Sequence, residues 1–600
     1  MIIAQRSMAQ ERVAPLRYNP LLIPISAAVP QSAQRGSALQ TLPFFEDFTD
    51  YSLFPNPARW TDSNVYINNN MGINPPARGV ATFDALNKIG RPRDTVNATN
   101  VDYSDSLTSQ PFDLRAYQPS DNIYLSFFYQ PQGAGFSPEP ADSLMLFFRR
   151  HTGGWQLMWS AGGTSVAAFK QAIVPVTDTS FLFEDFQFRF VNRASINTND
   201  DIWNLDYIRM DVNRNPNDTA VNDLAFITQP TNLLNDYTAM PYRQFLANVA
   251  GEQAASFSTT INNHYPTNAT VNYGFVARES VGNTPLAGSS SSINIPSYSV
   301  QTVTFPNYTA VAPVTGGRVV FENKYFLQSG NPNEPKANDT IIHEQVFDNY
   351  FAYDDGSAEK SYYLNLLSTL LGKAAIEFHT NVPDTLRGVA IYFGQQVPTA
   401  TSKLFSIAAY KEITGVNGAT RDSVMAQKNN LTPVFTDTIN NFSIYKFDQP
   451  VLVNAGYFYV GYIQPANSGS DSLYIGLDVN RTTANHLYYN VLDRWDNSTI
   501  GGALMVRPLM GGSITGTGIN TVSFVNEPWQ AYPNPANDRL YIRQKGNFNQ
   551  LSVTDMLGRE VIRTKLNEGG IDIAALTPGN YLIRLGKNGY WTPSQKILKQ

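Results

Sequence analysis

Two groups of acidic residues are the part of this sequence best suited to binding a metal ion. Each group is divided between the start and the end of a long stretch rich in β-forming residues, so a sandwich with neighbouring first and last strands would bring its members together. Because carboxylate oxygens are the ligands that Ca²⁺ prefers, the sequence predicts Ca²⁺ sites, with capping of turns and strand edges as the alternative. The first group is Glu46, Asp47, Asp206 and Asp211, and the second is Asp354, Asp355 and Asp478.

The tryptophans are the second set of candidates, because an aromatic ring on an open sheet face can stack on the apolar face of a sugar. Trp155 follows Gly153 and Gly154, which predicts an exposed position and a role in ligand binding. Packing in the core is the alternative for every tryptophan, and it is expected for Trp159 and Trp203. The candidates are Trp60, Trp155, Trp159, Trp203 and Trp495.

Residues that could carry out catalysis are scarce. The chain has no cysteine, and none of its five histidines has a second histidine four residues away. Motifs for serine hydrolases, phosphate-binding loops and dinucleotide-binding turns are absent. Glu184 and Asp185 are the one pair of carboxylates that suggests glycoside hydrolysis, but neighbours on a strand point to opposite faces. We identify no catalytic residue and no organic cofactor, and a hydrolase remains the alternative to a protein without enzymatic activity.

The composition indicates a multidomain β-protein. Of 600 residues, 42% are hydrophobic, enough for several cores, and 15% are charged, below the usual ~25%. The net charge is −6 and no long basic stretch occurs, which argues against a nucleic-acid partner. No apolar run approaches the ~18 residues of a membrane-spanning helix, so no transmembrane span is expected.

Short alternating strands bounded by turn residues recur along the chain and predict an all-β fold built from β-sandwiches. One short helix is expected near Tyr242, with Pro241 at its first turn, and Gly288–Ser292 is expected to form a flexible loop. The predicted domains are an extended N-terminal segment with a signal remnant (1–42), a jelly roll (43–235), an immunoglobulin-like sandwich (236–328), a linker (329–345), a second jelly roll (346–512), a linker (513–527) and a C-terminal sandwich (528–600).

The first predicted jelly roll resembles a known group of modules. It opens with Phe-Glu-Asp-Phe at residues 45–48, has Trp60 soon after, and closes with Leu-Asp-Tyr-Ile at residues 205–208. This order resembles the jelly-roll modules of the MAM and concanavalin-A-like lectin group, although the cysteines of animal MAM modules are absent. Only the fold is implied by this resemblance.

The C-terminal residues carry a more specific pattern. A Tyr-Pro-Asn-Pro stretch, an Asp-Met-Leu-Gly-Arg turn, a Pro-Gly-Asn-Tyr turn and a basic tail follow one another after residue 531. The series resembles the type A C-terminal sorting domain of the type IX secretion system of Bacteroidota. The resemblance implies recognition by the secretion machinery and an extracellular or outer-membrane cell-surface location. The residues that carry it are Pro533, Asn534, Pro535, Asp555, Gly558, Gly579, Tyr581 and Lys599.

Exported cargo of this kind also needs an ordinary signal peptide. Residues 1–6 contain no apolar segment of adequate length, although Ser-Met-Ala at residues 7–9 is similar to a cleavage site. We therefore expect the natural start of the chain to lie upstream.

The sequence as a whole predicts a modular protein displayed at the cell surface for binding or adhesion. Glycans or the surface proteins of neighbouring cells are the expected ligands, and this expectation comes from the architecture alone. The alternatives are a secreted glycoside or polysaccharide hydrolase with accessory β-domains, and a structural subunit of a surface layer.

Overall fold

The computed structural model is almost entirely β-structure and divides into two compact units, Met1–Ser513 and Ile514–Gln600. The prediction of an all-β fold is confirmed. Each unit is described separately below. The residues that the structure describes are 10–19, 21–22, 39–49, 52–96, 100–279, 284–310, 318–332, 334–366, 370–396, 403–435, 442–465, 472–481, 483–511, 529–544, 548–555, 560–566, 570–587, 590–591 and 595–600.

The first unit opens with a strand that belongs to a distant sheet and continues into the first sandwich. The strands are β1 Gln10–Ala14, β2 Phe44–Glu46, β3 Tyr66–Asn68, β4 Val80–Phe83, β5 Val101–Thr108, β6 Phe112–Asp113, β7 Tyr124–Pro131, β8 Ser143–Arg149, β9 Trp155–Gly162, β10 Lys170–Pro175, β11 Glu184–Phe186, β12 Phe188–Ser195 and β13 Trp203–Asp211. A 3-10 turn spans Pro119–Asp121.

The first sandwich consists of two main sheets that face each other. One has the order β10-β7-β13-β4-β3, with β2 paired to β13, and the other has the order β5-β12-β8-β9. Alternating residues such as Phe127, Phe188 and Phe190 point inward and are fully buried, together with Trp60 and Trp203. This alternation leaves the opposite face of each strand available for other contacts.

The middle of the first unit forms a second, smaller sandwich. Its elements are β14 Leu224–Phe226, β15 Ala239–Met240, α1 Tyr242–Ala247, α2 Val249–Glu252, β16 Ser256–Asn263, β17 Ala269–Glu279, β18 Thr284–Ile295, β19 Ser299–Pro306, β20 Val319–Gln328 and β21 Thr340–Phe347, with a 3-10 turn at Ala337–Asp339. The sheets have the orders β14-β16-β19 and β15-β21-β20-β17-β18. The helix expected after Pro241 is confirmed as α1.

The last part of the first unit forms three sheets. The strands are β22 Lys360–Asn365, β23 Gly372–Thr380, β24 Asp384–Tyr392, β25 Phe405–Glu412, β26 Ser423–Leu431, β27 Phe442–Val453, β28 Gly456–Gln464, β29 Ile475–Asp478, β30 Leu487–Asn490, β31 Trp495–Asn497, β32 Ala503–Leu504 and β33 Val506–Met510, with a 3-10 turn at Ala484–His486. Their orders are β26-β25-β28-β23-β30-β31, β27-β24-β33 and β1-β22-β29-β32.

The N-terminal strand β1 completes the last of these sheets. It runs antiparallel to β22, with Gln10 opposite Asn365. Glu11 is buried and accepts hydrogen bonds from the Ser498 hydroxyl and the Thr499 backbone N–H, both at 2.7 Å. The N-terminal segment is therefore anchored in the part of the unit that lies farthest from it in sequence.

The second unit is a small sandwich with its own core. Its strands are β34 Trp529–Tyr532, β35 Arg539–Gln544, β36 Gln550–Asp555, β37 Glu560–Lys565, β38 Ile571–Asp572, β39 Gly579–Lys587, β40 Tyr590–Trp591 and β41 Gln595–Lys599. The sheets have the orders β34-β35-β38 and β37-β36-β39-β40, and β41 pairs with β39. Leu540, Leu551, Val553, Ile583 and Leu585 are fully buried between them.

Candidate functional site

The outer face of the sheet β5-β12-β8-β9 is the best candidate for a binding surface, and we call it the Trp155 face. Its side chains alternate with those that enter the core of the first sandwich. The pairing of the strands places Arg189 opposite Phe147, Phe147 opposite Leu157, and Arg149 opposite Trp155. At the other end of the face, Arg193 lies opposite Tyr103. The residues that define the face are Tyr103, Phe147, Arg149, Trp155, Leu157, Arg189 and Arg193.

The Trp155 face exposes more apolar and aromatic surface than a solvated sheet requires. Tyr103 is 62% exposed and Leu157 is 51% exposed, while Trp155 and Phe147 are half-buried. The Arg189 guanidinium stacks over the Trp155 ring, with its Cζ 4.1 Å from the ring centroid. This cation–π contact fixes the indole on the surface and does not draw it into the core.

A half-buried carboxylate, Asp62, holds Thr108, and Thr108 holds the arginine that stacks on Trp155. Asp62 accepts hydrogen bonds from the backbone N–H and the hydroxyl of Thr108, at 2.8 and 2.7 Å, and Thr108 Oγ1 accepts from Arg189 Nε at 2.8 Å. Burial raises the pKa of Asp62. Burial also lowers the pKa of Arg189, and the negative charge of Asp62 partly offsets this lowering. The side chain of Arg189 is therefore set in place before any ligand arrives.

The other candidate tryptophans pack inside the protein. Trp60 and Trp203 are almost completely buried, and Trp495 is buried with its Nε1 donating to Asp422 Oδ1 at 2.9 Å. Trp159 packs edge-on against Phe127, with ring centroids 4.9 Å apart. Among the five candidates, Trp155 alone lies on the open face described above.

Glu46 and Asp47, from the first predicted calcium group, lie on and just after β2, which pairs with the last strand β13. Glu46 is buried and accepts a hydrogen bond from Trp60 Nε1 at 2.9 Å, while Arg59 Nη1 lies 3.0 Å from its other oxygen. Asp47 Oδ1 accepts from the Thr49 hydroxyl at 2.6 Å. The first and last strands are neighbours, and protein donors already contact these carboxylates.

Asp206 and Asp211, from the same group, lie on β13. The two oxygens of Asp206 accept backbone N–H groups, from Ala77 at 2.8 Å and from Tyr207 at 2.6 Å. Burial raises the pKa of Asp206 well above its usual range. Asp211 pairs with Arg209, whose Nη2 lies 3.2 Å from Asp211 Oδ2. Calcium binding by this group remains a prediction.

The second predicted calcium group is divided between two environments. Asp355 and Asp478 meet, because the Asp355 N–H donates to Asp478 Oδ2 at 2.7 Å. Asp354 instead forms a buried ion pair with Arg507, whose Nε donates to Asp354 Oδ2 at 3.0 Å and whose Nη2 contacts Oδ1. A guanidinium thus balances the charge of Asp354. Calcium binding by this group also remains a prediction.

A third acidic group, which the sequence did not predict, is formed by Glu139, Asp142 and Asp201. One carboxylate oxygen from each residue lies within 4.8 Å of the others, and no other three acidic, histidine or cysteine residues come this close among the residues described. The signals in the sequence were the spacing of Glu139 and Asp142 and the pair Asp200-Asp201. Neither pattern indicates that the loop with Glu139 and Asp142 meets the loop with Asp201.

Glu184 and Asp185, weighed as a hydrolytic pair, lie on the short strand β11 and are both exposed. Glu184 Oε2 lies 2.8 Å from Arg115 Nη1, which also pairs with Asp113. Glu184 thus belongs to a surface ion-pair network with Arg115 and Asp113.

A small cavity of about 40 Å³ lies inside the first unit, between residues of the first sandwich and residues of the last part of the unit. Asp84 and Glu359 line it, and Asn70 Nδ2 donates to Glu359 Oε1 at 2.6 Å. Burial and the charge of Asp105 raise the pKa of Asp84 to about 8. Burial and the charge of Asp355 raise the pKa of Glu359 to about 8.

These shifts predict that the first unit is more stable at about pH 5.5 than at about pH 9. A carboxyl whose pKa is higher in the folded chain than its unfolded value of about 4 binds more protons when the chain is folded. Its contribution to the free energy of unfolding is therefore present at low pH and is lost as the pH rises through the folded pKa. Calorimetry should show a lower melting temperature at the higher pH, and a smaller difference for Glu359→Gln. Equal melting temperatures of the wild type at the two pH values would contradict the shifts.

The predicted sorting residues Pro533, Asn534 and Pro535 form an exposed loop in the second unit. Asn534 ties this loop to the last strand, because its Nδ2 donates to the Lys596 carbonyl at 3.0 Å and its Oδ1 accepts from the Leu598 N–H at 2.9 Å. The loop and β41 therefore present one continuous surface.

The remaining sorting residues have structural positions in the same sandwich. Asp555 ends β36 and Gly579 begins β39. Tyr581 is buried, with its hydroxyl donating to the Thr577 carbonyl at 2.8 Å, and Lys599 is buried at the end of β41. Gly558 lies outside the described residues.

Residues 530–600 match the family model of the secretion system C-terminal sorting domain. The tail is a type IX sorting domain, as the sequence predicted. The protein is therefore exported to the cell surface or the extracellular space, and the type IX machinery is its partner during export. Among the described residues, no helix has the length and apolar character needed to cross a bilayer.

Solved structures with similarity to this chain include glycoside hydrolases and carbohydrate-binding modules. A β-glucuronidase of Bacteroides uniformis has 10% identity and a TM-score of 0.20, with 46% of this chain and 30% of that enzyme covered. A carbohydrate-binding module, CBM28, has 13% identity and a TM-score of 0.17, covering 24% and 80%. The CBM22 tandem of Paenibacillus barcinonensis Xyn10C has 9% identity and a TM-score of 0.19, covering 73% and 99%.

The chain spans less than a third of the length of the β-glucuronidase. No curated protein matches the sequence. Similarity at these values assigns neither a ligand nor a reaction to this chain.

Proposed function

We propose that this exported protein is a surface-displayed binding protein whose Trp155 face binds glycans. The observation that carries the proposal is the open, four-stranded sheet face on which Trp155, Phe147 and Leu157 lie beside arginine side chains. A sugar ring offers one apolar face to an aromatic side chain and hydroxyl groups to hydrogen-bond donors. The arginines of this face supply such donors.

The arrangement of the face supports binding without large rearrangement. Arg189 is held by Thr108 and stacks on Trp155, so the main contact residues are already in place. A surface that is ordered before binding loses less conformational entropy when a ligand arrives. A regular sheet therefore suits an extended glycan chain better than a flexible loop would.

Replacing Trp155 by alanine tests this proposal. We expect Trp155→Ala to weaken glycan binding by about 5-fold or more, because removing an aromatic stacking contact together with its apolar burial costs roughly 1–3 kcal/mol. Binding of the purified full chain is first screened on a glycan array, with and without calcium. The affinity for the best ligand is then measured by calorimetry.

The matched control is Tyr457→Ala, since Tyr457 is 59% exposed on β28, away from the Trp155 face. Wild-type affinity of Trp155→Ala, or equal losses for both variants, would contradict a site on this face. If the wild-type chain binds no glycan, the proposal fails and a structural role becomes the better interpretation. For that role, the 12-residue β18 and the 9-residue β26 both lie at sheet edges and could pair with another chain.

A further inference from the structure

Three carboxylates from two separate loops meet at one end of the first sandwich. Glu139 and Asp142 lie in the loop between β7 and β8, and Asp201 lies in the loop between β12 and β13. One oxygen of each residue lies within 4.8 Å of the others. These loops are distinct from β2 and from the middle of β13, where the first predicted calcium group lies.

Two of the three carboxylates are buried and incompletely hydrogen-bonded. Asp142 and Asp201 are 3% and 0% exposed. Asp201 Oδ2 accepts the Ser195 N–H at 2.7 Å, whereas Asp201 Oδ1 has no hydrogen-bond donor. Asp142 Oδ1 also has no donor, and its nearest cation, Arg193 Nη1, is 3.9 Å away. Buried carboxylate oxygens without donors are costly, so this group suits a positively charged ligand.

The charges of the group also favour binding of a cation. Three carboxylates face one another, and the ion pair recorded for the group is the long contact between Asp142 and Arg193. At separations of 4–5 Å, like charges repel strongly when they are withdrawn from water. One divalent cation would cancel the two negative charges that the arginine leaves.

The loop that carries Glu139 and Asp142 is held in position by backbone contacts. The Asp142 N–H donates to the Glu139 carbonyl and the Gly163 N–H donates to the Asp142 carbonyl, each at 2.9 Å. A Cβ atom on Gly163 would lie 2.0 Å from the Glu139 carbonyl oxygen, so only glycine permits this close approach. The carboxylates of Glu139 and Asp142 are thus brought to Asp201 by a tightly packed turn.

We propose that Glu139, Asp142 and Asp201 bind a calcium ion. The group offers only carboxylate oxygens, which are hard ligands that suit Ca²⁺. Exposed Glu139 leaves one side open to solvent, from which water molecules complete the 6–8 oxygen ligands of Ca²⁺. Since the protein is exported, a dissociation constant of about 10⁻⁴–10⁻³ M, typical of extracellular calcium modules, would be sufficient.

This site is independent of the glycan-binding proposal, and its test uses calcium alone. Calcium binding to the full chain is measured by equilibrium dialysis for the wild type and for Asp201→Asn, with Asp496→Asn, from a surface ion pair with Arg494 outside every predicted calcium group, as the control. We expect Asp201→Asn to lose one bound calcium ion, or at least about 10-fold in affinity for it. Asp496→Asn is expected to keep wild-type binding.

Thermal unfolding distinguishes loss of the ion from loss of the fold. In the presence of a chelator, Asp201→Asn should melt at or above the wild-type temperature, because the substitution removes one buried like charge. In calcium the order should reverse, because only the wild type gains stability from the ion. Wild-type calcium binding by Asp201→Asn, or a wild type that neither binds calcium nor melts higher in its presence, would overturn the proposal.

Discussion

Removal of residues 529–600 is expected to abolish surface display of the protein. The second unit contains the sorting domain and has its own hydrophobic core, so its loss removes the export signal and leaves the cores of the first unit unchanged. Protease digestion of intact cells and immunoblotting of cell fractions should show the shortened chain retained in the cell, with at least a ~10-fold lower surface signal. Full surface display of the shortened chain would contradict the assignment of the tail.

A transfer experiment provides the control for export. Residues 514–600 fused behind an unrelated secreted reporter should bring that reporter to the surface, because a compact unit with its own core can fold apart from its natural partner. The same fusion without residues 595–600 should fail. Those residues form β41, which pairs with β39 and buries Ile597 in the core of the unit. Export of the truncated fusion would show that β41 is not needed.

Local patterns in the sequence predicted local structure well. The short alternating strands predicted along the chain are present, and Pro241 marked the start of α1. Both depend on residues that are near one another in the chain, where the geometry of the backbone restricts the choice. The all-β architecture and the sorting domain follow from many such local signals that agree.

The prediction of a flexible loop at Gly288–Ser292 is wrong, since these residues lie in the middle of β18. Serine and glycine have low strand propensity, but here each pairs in register with β17, as in Ser290 opposite Gly274. Gly274 allows this approach, because a Cβ there would lie 2.3 Å from the Ser289 carbonyl oxygen. Tertiary pairing overrides the intrinsic preference, which a single sequence does not reveal.

Contacts between segments that are far apart in the chain could not be predicted from the sequence. The pairing of β1 with β22 and the meeting of Asp142 with Asp201 depend on the order of strands in the sheets. The adjacent glycines predicted an exposed Trp155, which the structure shows half-buried, and the stacking of Arg189 on it depends on the register between strands. The role of Trp155 in ligand binding therefore stays a prediction, and the residues around it depend on contacts that a single sequence does not reveal.

Replacing Arg507 by methionine is expected to destabilise the first unit by about 3–5 kcal/mol, because it leaves the carboxylate of Asp354 buried without its cation. Asp354 is 1% exposed. The Arg507 guanidinium also packs on the rings of Tyr350 and Phe442, with centroids 5.0 and 4.0 Å from its Cζ. Urea denaturation followed by tryptophan fluorescence should show a clear fall in the unfolding midpoint for Arg507→Met.

The exposed pair of Arg494 and Asp496 is the matched control, and Arg494→Met should cost at most about 1 kcal/mol. Adding Asp354→Asn to Arg507→Met should restore much of the lost stability, because no unbalanced charge then remains buried. The same variants also test the second predicted calcium group. If Arg507 is the true counter-ion of Asp354, added calcium should not rescue Arg507→Met; a rescue would mean that Asp354 can bind the ion once the guanidinium is gone.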